Sequence, residues 1–312
     1  MRRFVALWVA VALLVAGAGC GLGSGSEQAG DGVALRVTRD FGQRLLSSER
    51  RERVREHQTV MRLLRSTSDV ETRYGGNFVQ EIDGIAGDGA GGTEDWFYYV
   101  NGLLADRGAA EYELSPGDVV QWDYRHWEAA MCVPAIVGAY PEPFLHGVEG
   151  ERIPTRVECQ DDESVACREV KDRLGEAGLT ATGAPLGAPA GDDILRVVVA
   201  TWEVARDVQA ARPIENGPAA SGVFARFSAD GSELALLDEE GEEASVLGPG
   251  AGLVAVTELS TQKPVWLVTG VDEAGVEGAA EALDEEALSD AFAVAVGPEG
   301  PVSLPVAEEG SP

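Results

Sequence analysis

The 312-residue chain lacks the short signatures of the common hydrolases, zinc proteases, nucleotidases and dehydrogenases. There is no GxSxG nucleophile elbow, no HExxH pair, no Walker loop and no paired-glycine dinucleotide fingerprint in a strand-to-helix setting. Histidine is scarce: His57, His126 and His146 are the three, and none has metal-ligand spacing to a cysteine. Lysine is scarcer still, with Lys171 and Lys263 alone against 22 arginines, an imbalance that fits a GC-rich genome. Positive charge is outweighed throughout, and the formal net charge of −29 argues against nucleic acid, whose phosphates need neutralising cations. After the first twenty residues no stretch is long and apolar enough to cross a bilayer. No residue nominates itself as a catalytic acid, base or nucleophile, so the chain is read as a non-enzyme.

The N-terminus carries a targeting segment. Arg2 and Arg3 form a basic start, and Phe4 to Val15 is an apolar run too short for a comfortable membrane span. Gly17-Ala18-Gly19 then lead into Cys20, which resembles the bacterial lipobox, although Gly17 replaces the usual leucine. Residues 1–20 are therefore expected to be a lipoprotein signal peptide, with Cys20 the lipid-attachment site and the mature protein held at the cell membrane facing the extracellular side. An ordinary secretory signal with an incidental cysteine is the alternative. Residues 21–32 have linker composition and, as a flexible tether, span roughly 19 Å from about 5.5 Å × √n. Three cysteines remain for an oxidising compartment. Cys159 ends an extended segment and Cys167 begins a helix, so these two are expected to pair, leaving Cys132 as a buried free thiol or an intermolecular link.

The densest information lies in residues 95–127, DWFYYVNGLLADRGAAEYELSPGDVVQWDYRHW. An aromatic run meets Asn101-Gly102, the strongest short-range hairpin signal, and Ser115-Pro116-Gly117-Asp118 turns into a second alternating strand. Upstream, VALRVTRD reads as an edge strand, Gln43 to Val54 as a second strand, Thr59 to Arg65 as a short helix and Asn77 to Ile85 as a further strand. Taken together, TVMRLL, FVQEIDGI, WFYYVNG and SPGDVVQWDY resemble, in that order, the C-terminal β-grasp domain of the B12 carriers transcobalamin and intrinsic factor. That domain also recurs in bacterial surface proteins as a domain of unknown function. The resemblance implies a β-grasp domain over 33–127 that binds a ligand, a corrinoid or another large planar molecule. No other cofactor is expected, and the residue spacing gives no metal site. The carriers' helical barrel domain has no counterpart in this chain.

Alternation places Trp96, Tyr98 and Val100 on one strand face and Phe97 and Tyr99 on the other. One small core can hardly absorb every ring, so some are expected at a surface covered by a ligand or by the rest of the chain. The ligand-binding candidates are Trp96, Tyr98, Tyr99, Asn101, Trp122, Tyr124, His126 and Trp127. Tyr99, Trp122, His126 and Trp127 are expected to be exposed.

The remainder reads as an ordered connector over 128–152 and a mixed α/β domain over 153–296, followed by a disordered acidic tail over 297–312. Ile194–Ala200, Val265–Thr269 and Phe292–Val296 lack polar alternation, as strands buried on both faces do. Ser164–Ala177 and the segment capped by Asp272 fit helices. Gly248-Pro249-Gly250-Ala251-Gly252 reads as an ordinary loop. The fold class is thus α+β: an N-terminal β-grasp domain and then an α/β domain. The expected partners are the membrane, through the N-terminal lipid, and a small-molecule ligand. A non-catalytic envelope module that meets another protein is the alternative.

Overall fold

The computed structural model describes residues 31–307 apart from 77, 88–90, 190, 192 and 259–262, together with the backbone of 27–28. Cys20, the signal segment and most of the tether lie outside the described residues. The fold is α+β, mostly sheet with a few short helices. No helix among the described residues is long and apolar enough to cross a membrane.

In the first half, β1 (Glu27–Gln28), β2 (Val33–Arg39), β3 (Arg44–Arg51) and β4 (Val54–Arg55) precede helix α1 (Val60–Leu64). After α1 come β5 (Val70–Arg73), β6 (Phe78–Ile82), β7 (Ile85–Ala86), β8 (Glu94–Val100), β9 (Leu103–Leu104) and β10 (Val119–His126). The principal sheet runs β3-β2-β10-β8-β9, with β2 and β10 parallel and the other neighbours antiparallel. The segment read as an edge, β2, is therefore interior, and β3 is the edge. Almost all of β3 is exposed, and its arginines are the kind of charge that keeps a free edge from pairing indiscriminately. Thr59 caps α1 by accepting from Arg62 N at 3.2 Å, a contact typically worth about 1 kcal/mol. The helix then buries Val60, Met61, Leu63 and Leu64 against the sheet. Asn101 and Gly102, at φ 54° and 78°, form the two-residue loop joining Val100 to Leu103.

The second half contains β11 (Thr155–Cys159), α2 (Val165–Glu176), β12 (Thr182–Pro185), β13 (Leu195–Thr201), α3 (Trp202–Ala205) and α4 (Pro218–Ser221). There follow β14 (Ala225–Phe227), β15 (Leu234–Leu237), β16 (Glu243–Leu247), β17 (Gly252–Thr257), β18 (Val265–Gly270), α5 (Glu273–Glu281), α6 (Glu285–Leu288), β19 (Ala293–Gly297) and β20 (Gly300–Leu304). Seven strands form one sheet, β12-β11-β13-β18-β17-β19-β20, parallel as far as β18 and antiparallel beyond it. Residues of α2 and α5 pack on one face with Val157, Val197, Val199 and Val268. The other face, with Val198, Ala200 and Leu267, joins a core that extends into the first half through Phe41 and Tyr99. That double covering explains the unbroken apolar runs of β13, β18 and β19.

β17 is fully buried and begins at Gly252, the last residue of the glycine-rich loop. One further strand departs from expectation. β20 pairs with β19, so residues through Leu304 are ordered strand rather than tail. Pro301 can be accommodated there because an edge strand need not use every N–H.

Cys159 and Cys167 are disulfide-bonded, tying the end of β11 to the first turn of α2. Cys132 is free and exposed rather than buried. The connector bridges both halves: Ile136 N donates to Gly102 O at 2.8 Å, and Val137 N to Phe292 O at 3.3 Å. Tyr140 and Phe144 pack their rings against Trp266.

Candidate functional site

The aromatic strands β8 and β10 lie side by side, with Tyr98 opposite Trp122 and Trp96 opposite Tyr124. On the face toward α1, Tyr98 stacks on Trp122 with ring centroids 4.8 Å apart, and Trp96 tilts against Tyr124 at 5.2 Å. Three of the four polar ends are hydrogen-bonded, and of the four only Trp122 Nε1 is buried without a partner among the described residues. Trp96 Nε1 donates to Ile85 O at 3.0 Å, and the Tyr124 hydroxyl donates to Ala86 O at 3.0 Å. These rings form the core of the first half and are not a recognition surface.

The opposite face carries Phe97, Tyr99, Gln121, Asp123 and Arg125, and the second half covers it. Tyr99 meets Phe292 edge-on at 5.5 Å, and Phe41, from the turn after β2, packs on Phe292 and Phe224. Asp123 is completely buried. Its carboxylate accepts from Thr38 Oγ1 at 2.7 Å, Gly42 N at 2.9 Å and Phe41 N at 3.1 Å, fixing a turn in which Asp40, Phe41 and Gly42 all have positive φ. Burial pushes the Asp123 carboxyl up to about 7 despite those three donors. Arg125, also fully buried, lies over Phe97 at 3.9 Å from the ring centroid and donates to Ala130 O at 3.0 Å. Gln121 Nε2 donates across the seam to Asp290 O at 3.0 Å. Beside it Arg36 pairs with Asp290.

The exposed-aromatic expectation is therefore corrected. Tyr99 is 0% and Trp122 2% exposed, because the sheet is covered on both faces. His126 and Trp127 are half-buried at the strand end, where Trp127 N donates to Thr93 O at 2.9 Å. Asn101 is structural too. Its amide donates to Asp118 Oδ1 at 2.9 Å and Gly147 O at 3.0 Å, while its oxygen accepts from Val119 N at 2.8 Å. Sequence reasoning missed Asp123, Arg125 and Gln121, because polar alternation normally marks a solvent face. The overlooked signal was that their strand neighbours on that same face, Phe97 and Tyr99, are aromatic.

One opening lies between the halves. A cleft of about 310 Å³ is walled on one side by Val100, Leu103, Leu104 and Tyr112 and on the other by Glu258, Lys263 and Pro264. Burial raises the Glu258 carboxyl. At the rim Arg107 pairs with Glu149 and lies 5.4 Å from the Tyr112 ring centroid. A metal is poorly served. Among the described residues the one group bringing three candidate ligand atoms within 4.8 Å is Cys159, Asp162 and Cys167, and both of its sulfurs are spent in the disulfide.

Residues 57–126, from just before α1 to the end of β10, match the family model "Domain of unknown function (DUF4430)". No curated protein matches the chain. Among solved structures, the chain is similar to the crystal structure of a provisionally assigned metal binding protein from Ruminococcus gnavus. The two are 14% identical, and the likeness covers 31% of this chain and 98% of that one. Its TM-score is 0.25, too low to carry an argument about fold or ligand.

Proposed function

We propose that this protein is a membrane-anchored extracellular lipoprotein that binds a ligand between a transcobalamin-like β-grasp domain and an α/β domain. The observation that carries the reading is the cleft where the β8–β9 hairpin faces Glu258, Lys263 and Pro264. It is the place where an apolar wall from the matched family segment meets polar groups from the other half, the composition typical of ligand sites. The Cys159–Cys167 bridge supports an oxidising compartment, and the lipobox-like Gly17–Cys20 supports the anchor. The role is binding, since the buried titratable groups of the seam have no route to a substrate.

A corrinoid is the ligand that the family resemblance suggests, and it would have to lie across the mouth of the cleft. Titration of the 21–312 chain with cobalamin and cobinamide, followed by tryptophan fluorescence, tests this. Saturable quenching that Leu104→Arg removes is the expected result. No quenching up to about a millimolar, a Kd worth only ~4 kcal/mol, rules the corrinoid out. The anchor is tested separately: the full-length protein should partition into detergent, and Cys20→Ala should abolish that. The second reading, an envelope interaction module, is favoured by the free edge β3, where Leu45 and Leu46 stand exposed. Cross-linking through β3 in whole cells, without any ligand response, is the outcome that would replace the first reading by the second.

A further inference from the structure

The largest cavity among those described adjoins the cleft at Lys263, and its chemistry runs against the rest of the chain. Glu158 in β11 is completely buried on the sheet face opposite α2 and α5. Its two oxygens accept from Arg196 Nε at 2.8 Å and Nη2 at 2.6 Å, and Arg156 Nε donates to the same carboxylate at 2.9 Å. One carboxylate between two guanidiniums leaves a surplus positive charge in a poorly solvated position, which a counter-anion would relieve. Arg156 does a second job. Its Nη1 and Nη2 donate to Pro189 O and Ala188 O, both at 2.9 Å, and so pin the strap Gly187–Pro189.

Beneath that strap is a cavity of about 430 Å³, within the usual size range of ligand pockets, roughly 300–1,000 Å³. Arg196 lines it, and its guanidinium reaches Glu158 through Nε and Nη2, the edge away from Nη1. Lys263 is the second cation of the lining, while Leu186, Ile194, Val204 and Val208 give it an apolar wall and Asp207 is its one carboxylate. Two cations to one acid is a reversal in a chain with 53 acidic and 24 basic residues.

We infer that this cavity is a binding site for a small organic monoanion, a carboxylate carried on an apolar body. The Glu158 clamp holds the Arg196 guanidinium in place before the ligand arrives, so little side-chain freedom is lost in making a charge-assisted hydrogen bond. Lys263 supplies the second, less directional contact, and the aliphatic wall takes the body of the ligand. This site shares Lys263 with the interdomain cleft, but its other lining residues are its own, and Leu104 on the far wall of the cleft tells the two apart.

Amide shift mapping on the 21–312 chain tests it, with hexanoate and 3-phenylpropionate as probes. The backbone amides of Gly187, Gly191 and Ile194 should shift saturably. The neutral carboxamides of the same acids should bind at least about tenfold more weakly, as loss of a charge-assisted contact implies. Val204→Glu, at a half-buried position of the wall, should abolish binding with its melting temperature retained, whereas Leu104→Arg in the cleft should leave it unchanged. Lys263→Gln should weaken it about tenfold. Equal binding of acid and amide, shifts confined to Leu104 and Tyr112, or undiminished binding in Val204→Glu would each overturn the assignment. Inorganic phosphate binding as tightly as the acids would overturn it too, since the apolar wall would then contribute nothing.

Discussion

The two faces of the β8–β10 pair are built from the same strands and are both covered, yet they are held in opposite ways. The face toward α1 is a conventional aromatic core of Trp96, Tyr98, Trp122 and Tyr124, and all but Trp122 have their polar tips on nearby carbonyls or Glu94. The face toward the second half interleaves rings with Gln121, Asp123 and Arg125, which reach the backbone of Asp290, of the turn after β2 and of the 130–131 segment. The first kind of packing depends on volume and the second on hydrogen-bond partners. A volume-based core tolerates approximate replacements, whereas a polar seam punishes the loss of any one partner. The seam therefore fixes one orientation of the two halves, which an apolar contact alone would specify less sharply.

Trp122→Ala should produce the largest loss. It removes a ring that stacks on Tyr98 and is 2% exposed, and large aromatic deletions of this kind cost about 3–5 kcal/mol. Denaturant unfolding should show a lowered midpoint with an unchanged slope. A second transition, with the other half melting separately, would mean that the seam does not couple the two halves.

Asp123→Ala comes next and separates the faces by pH. The change strands Thr38 Oγ1 and the N–H groups of Phe41 and Gly42, at a cost of about 2–3 kcal/mol. Burial raises the folded-state carboxyl to about 7, above its ordinary 3.8, so the folded form favours the proton. The group's contribution is then fully present below about pH 4 and is lost as pH rises through about 7. The unmodified protein should lose stability across that window, Trp122→Ala should keep the slope and Asp123→Ala should flatten it. Identical slopes in all three would show that Asp123 stays ionised throughout, held by its three donors.

This contrast also explains what could be read from the sequence. The Asn101-Gly102 hairpin, the Thr59-capped helix, the Asp272-capped helix and the buried runs of β13 and β18 are local signals, and the structure has them where the residues place them. The division of Trp96 and Tyr98 from Phe97 and Tyr99 follows from alternation alone. Interior β2, buried Tyr99 and ordered β20 depend on pairings between distant segments, which no local pattern encodes. The candidate site suffered most. Dense rings beside polar alternation look the same whether a ligand or another part of the chain covers them. The Arg156–Glu158–Arg196 clamp was not legible at all, because it joins two strands separated by a helix and a further strand.

The smallest effect gives the finest comparison, because it changes one oxygen on each face. The Tyr124 hydroxyl bonds to Ala86 O at 3.0 Å and Glu94 Oε2 at 3.1 Å. The Tyr99 hydroxyl is sealed in the seam near Arg125 and makes no hydrogen bond of normal geometry among the described residues. Burial there pushes its pKa up to about 12. Tyr124→Phe deletes a satisfied donor and takes the hydroxyl from the Ala86 carbonyl, so it should cost about 1 kcal/mol. Tyr99→Phe deletes a polar atom already without a good partner, so stability should stay within about 0.5 kcal/mol or rise slightly. Paired denaturant curves at pH 7 resolve a difference of this size. A Tyr99→Phe loss as large as that of Tyr124→Phe would show that the hydroxyl bonds to Arg125 in solution, making the seam a continuous network from Tyr99 through Arg125 to the 130–131 carbonyls.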